Sequence, residues 1–132
     1  MVSKEQRQQL IDTAIAVRDK AYAPYSGYQV GAAVLTASGR IFSGVNVENV
    51  SFGLTNCAER TAVFKMVSEG EQKILAGAGA TSNAGSPCGA CRQVLVEFAG
   101  DVPVYLTDTE GNVRETTLHA LLPDHFGPEH LP

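Results

Sequence analysis

"NCAERTA", Asn56 to Ala62, sets a cysteine, a glutamate and an arginine almost side by side where a helical pattern begins. A thiol and a carboxylate have no packing reason to keep company. The explanation lies in "SPCGACRQV", Ser86 to Val94, which carries the other two cysteines of the chain. An odd set of three, Cys57, Cys88 and Cys91, in a sequence without an export signal argues against a disulfide framework. The tight Cys88-x-x-Cys91 pair then reads as a metal or redox motif.

Working outward, "SKEQ" at Ser3–Gln6 is a capping box that opens a helix over 3–22, with Leu10, Ala14, Val17 and Ala21 at helical spacing. Residues 28–36 and 40–47 read as two strands around the turn "TASGR". A second helix, 57–69, places Ala62, Phe64, Met66 and Val67 near its apolar side and stops at Gly70. A buried strand follows over 73–81. "ATSNAGS" is a loop, 88–98 is a third helix with Val94, Leu95 and Phe98 inward, and 102–107 and 112–116 are strands joined by "DTEGN". A short helix carries Leu118, Leu121 and Leu122. Helices alternating with strands imply an α/β fold, a mixed sheet of about five strands covered by helices.

The bulk composition narrows the function. A chain of 132 residues, 44% hydrophobic, fits a single domain over 1–132 that needs no disulfide staples. The polar opening "MVSKEQRQQL" lacks the apolar core of a secretory signal, and no apolar run reaches the roughly 18 residues of a spanning helix. This predicts a cytoplasmic protein with no membrane partner. A net charge of -4, without a Lys/Arg run, excludes the electrostatic footprint of a nucleic-acid binder and favours a small neutral substrate.

On this reading both cysteine groups fall at helix starts, where unpaired N–H groups favour thiolate over thiol. Two helix ends converging on one point would supply three ligands: Cys88 and Cys91 from one first turn, Cys57 from the other. Glu59 lies about 200° around the helix from Cys57, so it cannot share an ion side by side. It can stand beside an open fourth position, as a general acid/base next to a water there. Three protein ligands with an open fourth position mark a catalytic zinc site. Three thiolates weaken zinc as a Lewis acid, and a cation on the sulfurs would offset this; Arg60 is the candidate.

"CAE" followed by "PCGAC" is the zinc-deaminase signature in its three-cysteine form. The ordered blocks "YAPYSGYQVGAAV", "GRIFSGVNVENVSFGLTNCAERTA", "SPCGACRQVLVEF" and "LLPDHFGPEHL" closely resemble the small homotetrameric cytidine deaminases of pyrimidine nucleoside salvage, almost end to end. The resemblance implies a three-layer α/β/α cytidine-deaminase-like fold and one Zn2+ per subunit. It implies hydrolytic deamination of cytidine and 2'-deoxycytidine, and a homotetramer with active sites shared between subunits. It makes Glu59 catalytic, Asn46 and Glu48 a ribose-binding pair, and the Ala58 N–H a donor to the pyrimidine carbonyl. Phe126 corresponds to an aromatic residue that a neighbouring subunit places over the base. Tyr28 stands beside the substrate where the family usually has phenylalanine in F-x-V-G-A-A.

Plainer readings compete. The cysteine pair as a redox motif is disfavoured by the distant C-A-E. A non-enzymatic zinc module would need a fourth ligand from His119, His125 or His130, which lack H-x(3–5)-H spacing. A related aminonucleoside deaminase would share the zinc signature but not the Asn46/Glu48 pair.

Overall fold

The strand order β2-β1-β3-β4-β5 follows from two hairpins and one crossover, in a computed structural model that describes residues 1–132. Strands β1 (Gly31–Thr36) and β2 (Ile41–Val45) pair antiparallel around a turn in which Gly39 takes φ +90°. Strand β3 (Ile74–Ala80) runs antiparallel to β1 and parallel to β4 (Pro103–Thr107), and β5 (Val113–Thr117) closes the far edge antiparallel to β4. The parallel β3–β4 pair requires a crossover, which is helix α3 (Gly89–Phe98).

The strand alternation sorts the core into two layers. On one face Ala33, Leu35, Ala76, Ala78 and Ala80 pack against Leu10, Ile11 and Ala14 of α1 (Lys4–Val17). On the other, Val34, Val104 and Leu106 meet Ala62, Val63 and Met66 of α2 (Ala58–Ser68), together with Leu95 and Val96 of α3. The result is the three-layer α/β/α arrangement, with α2 and α3 on one face. A short α4 (Leu118–Leu121) covers the core with Leu118. Two glycines permit the close approach of helix to sheet. A Cβ on Gly31 would collide with the carbonyl of Ala14 and lie 2.8 Å from Arg18 N. One on Gly44 would lie 2.6 Å from Ala58 O and 2.9 Å from Thr61 Cβ.

The capping box forms as its sequence predicts, Ser3 Oγ accepting from Gln6 N and Gln6 Oε1 from Ser3 N. Three boundaries differ by more than one residue. The first helix ends at Val17 and passes through a 3₁₀ turn at Arg18–Lys20, because the Tyr22 backbone is taken by a bridge to Asn46 and Glu48. Strand β1 starts at Gly31 and β2 ends at Val45, because the Asn46 side chain replaces the ladder there. Its Oδ1 accepts from Val30 N at 2.9 Å and its Nδ2 donates to Tyr28 O at 2.9 Å. In α2, Val63 is buried, whereas Phe64 and Val67 face outward. In α3, Leu95 and Val96 are fully inward and Val94 and Phe98 pack at the core margin.

Candidate active site

Cys57 is the N-cap of α2 and Cys88 the N-cap of α3, each with extended backbone, and Cys91 follows one turn into α3. Gly44 lets the first turn of α2 settle on β2, and the two helix starts converge. Sulfur separations are 3.7 Å for Cys57–Cys88 and 3.3 Å for Cys88–Cys91, and all three sulfurs lie within 4.8 Å of one another. Zinc–sulfur bonds of about 2.3 Å in tetrahedral geometry set sulfurs about 3.8 Å apart, so the donor set fits zinc in chemistry and in span.

None of the three histidines joins this cluster. His119 and His125 pack together with ring centroids 4.8 Å apart and a 40° tilt, and His125 and His130 both face Glu129 at 3.6 Å. The closed structural zinc module therefore finds no fourth ligand among them.

The electrostatics of the thiols follow from their contacts. Cys57 is pulled down to about 5, first by the hydrogen bond from Cys91 and then by the guanidinium of Arg60. Cys91, the donor in that bond, is pushed upward. Arg60 Nη2 donates to Cys57 Sγ at 3.3 Å, so a cation does stand on the sulfurs.

Glu59 occupies the second position of α2 and points between the helices and β3. Burial holds its carboxyl above the ordinary carboxylate range, and the charge of Cys57 pushes the same way. Gly79 lies beside it, its Cβ position 4.0 Å from Glu59 Oε2, an ordinary contact distance.

Tyr28, Asn46, Glu48, Cys57, Ala58, Glu59 and Cys88 line one cavity of about 260 Å³. The chain's side chains are thus gathered from the 26–30 segment, the end of β2, both helix starts and the end of β3. Asn46 is buried and partly engaged by the backbone, with one amide hydrogen and one lone-pair site left over. Glu48 accepts from the backbone N–H groups of Tyr25 and Ser26 at 2.9 and 3.1 Å and from the Ser26 hydroxyl. The Ser26 hydroxyl is the main cause that holds its carboxyl below the usual range. Phe126 lies outside this cavity, 59% exposed and stacked on His130. Ser26, Thr55 and Thr81 also line the cavity. Sequence reasoning missed them because each sits in a loop with no motif to mark it.

Residues 4–107 match the family model described as the cytidine and deoxycytidylate deaminase zinc-binding region. The chain belongs to that family. A cytidine deaminase of Sporosarcina psychrophila is 50% identical over 127 residues, covering 94% of this chain and 93% of that protein. One from Halalkalibacterium halodurans is 49% identical over 128 residues, covering 95% and 97%. The crystal structure of a cytidine deaminase from Burkholderia pseudomallei superposes with a TM-score of 0.85 at 48% identity, covering 90% of this chain and 98% of that one. The α/β/α fold and the three-cysteine zinc site expected from the sequence both agree with this membership.

Proposed function

We propose that the protein is a zinc-dependent hydrolase that converts cytidine and 2'-deoxycytidine to uridine and 2'-deoxyuridine with release of ammonia. The observation that carries this reading is the convergence of three cysteine sulfurs, two of which, Cys57 and Cys88, line the same cavity as the buried carboxyl of Glu59. When bound by Cys57, Cys88 and Cys91, zinc supplies a Lewis acid that activates water for attack at C4 of the pyrimidine. Glu59 takes one proton from the attacking water and delivers it to N3. It then carries the second to the exocyclic amine, which leaves as ammonia while C4 keeps the oxygen as a carbonyl. Burial suits Glu59 to this, because it raises the carboxyl's affinity for a proton, so that one group can take up and give back each proton in turn.

Ala58 begins α2, where backbone N–H groups have no intrahelical partner, and its N–H is the donor to the pyrimidine carbonyl in this reading. Asn46 and Glu48 hold the sugar, the ionised Glu48 accepting from a ribose hydroxyl. Arg60 offsets thiolate charge. Tyr28 forms a wall beside the base.

The protein works, in this reading, as a cytoplasmic homotetramer in which Phe126 closes a neighbour's pocket. The exposure of Phe126 outside its own cavity supports this, as do the exposed apolar side chains Val50, Phe52 and Leu54. No helix is long and apolar enough to cross a membrane.

The test is direct. The zinc-loaded protein is incubated with cytidine, 2'-deoxycytidine and cytosine while ultraviolet loss and ammonia release are followed. Turnover of the two nucleosides with stoichiometric ammonia is expected; zinc binding without turnover would overturn the proposal.

A further inference from the structure

The cavity has two facing walls. One is the 26–30 segment, with Ser26, Tyr28 and Val30; the other runs from Gly79 through Thr81 and Gly85 to Cys88. Tyr28 crosses between them, its hydroxyl donating to Asn83 Oδ1 at 2.7 Å. Asn83 Oδ1 also accepts from Thr81 Oγ1 at 3.2 Å, and Thr81 Oγ1 accepts from Gly85 N at 2.8 Å. The phenol is thereby tied into the turn that leads to Cys88. That turn is conformationally demanding: Ala84 sits at φ 56°, a left-handed backbone that costs a side-chain-bearing residue free energy. The turn is also shaped around the phenol, since a Cβ on Gly85 would stand 2.6 Å from the Tyr28 hydroxyl.

We propose that Asn83 is a positioning residue for substrate: by holding the Tyr28 phenol across the cavity, it fixes the spacing of the two walls before a nucleoside enters. This rests on the nucleoside reading given above. A wall that is already ordered spares the ligand the cost of ordering it, so loss of the latch weakens binding. The chemical step depends on Glu59 and the three cysteines, which are held by α2 and α3 and share no hydrogen bond with Asn83, so it is left intact.

The experiment compares Asn83→Ala, Tyr28→Phe, their double variant and Gly85→Ala for cytidine KM and kcat. Cytidine binding is also measured by calorimetry with each change placed in a Glu59→Gln background, and zinc content is determined throughout. Each single change is expected to raise KM and the dissociation constant about three- to tenfold, the range of one net hydrogen bond. The kcat should stay within about twofold, because the ordered wall favours the bound substrate equally before and during reaction. The double variant should be no worse than either single change. Asn83→Asp, which keeps the acceptor oxygen, should retain a near-wild-type KM. Unchanged KM in the single variants, additive losses in the double variant, or a fall in kcat with KM untouched would each overturn the latch. Failure of the unmodified protein to bind or turn over cytidine would instead overturn the nucleoside reading, and the latch with it.

Discussion

Gly44→Ala tests how the fold makes the site, because its effect can be worked from distances alone. Gly44 lies one pair from the end of the β1–β2 ladder, opposite Ala32, with the first turn of α2 directly above it. A methyl group there would meet Ala58 O at 2.6 Å, Thr61 Cβ at 2.9 Å and the amide of Ala62. Two of these three are backbone atoms of the helix, so no rotamer change relieves the collision. The start of α2 must retreat by about 1 Å, the amide of Ala62 being the nearest atom, to reach the 3.4 Å at which ordinary contact begins. It carries Cys57, Ala58 and Glu59 with it, whereas Cys88 and Cys91 stay on α3. Misplacement of about 1 Å costs on the order of 100-fold in rate, and overpacking of a buried position costs about 1–3 kcal/mol of stability. The assay is kcat/KM for cytidine with zinc content and thermal midpoint measured on the same preparation. A folded protein with weakened zinc retention and a loss of about two orders of magnitude in kcat/KM is expected. Wild-type activity and metal content in a folded variant would refute the claim that this close approach sets the geometry.

Arg60→Gln removes the donor at 3.3 Å from Cys57 Sγ, one of the contacts that lower that thiol to about 5. A higher thiol pKa lets protons compete with metal earlier as pH falls, so the midpoint of zinc release on acidification should move up; an unmoved midpoint would show Arg60 to be scaffold. Phe126→Ala should raise KM without loss of zinc, aromatic stacking contributing on the order of 1 kcal/mol. Mixed oligomers of Phe126→Ala and Glu59→Gln subunits should recover wild-type-like KM in part, and no recovery despite confirmed subunit exchange would exclude a shared pocket. Ser3→Ala should cost about 1 kcal/mol of stability in denaturant unfolding, with activity unchanged, since it removes only the cap of α1.

The architecture was largely legible because periodicity, turn residues and caps agreed along the chain. Element ends were read too long where side chains or bridges compete with the backbone. Asn46 is the example: it alternates like a strand residue, but its side-chain amide accepts from Val30 N and donates to Tyr28 O where the ladder ends. Phe64 and Val67 illustrate another limit. Helical spacing shows that apolar residues recur, and it cannot distinguish a face turned to the core from one turned outward. The three cysteines were legible as a set because their chemistry demands a common partner, and Glu59 because of its place beside them. Asn83 was not, since an asparagine in "TSNAGS" reads as turn chemistry, and nothing in the sequence pairs it with a tyrosine 55 positions away.

The central claim is that Glu59 moves the protons at a three-cysteine zinc site. The measurement that addresses it most directly is Glu59→Gln, with zinc per chain and cytidine turnover determined on one sample. The amide preserves size and packing but cannot shuttle a proton. Full zinc occupancy and intact fold with kcat reduced by about 100- to 10,000-fold is expected. Zinc retained with near-wild-type turnover would contradict it.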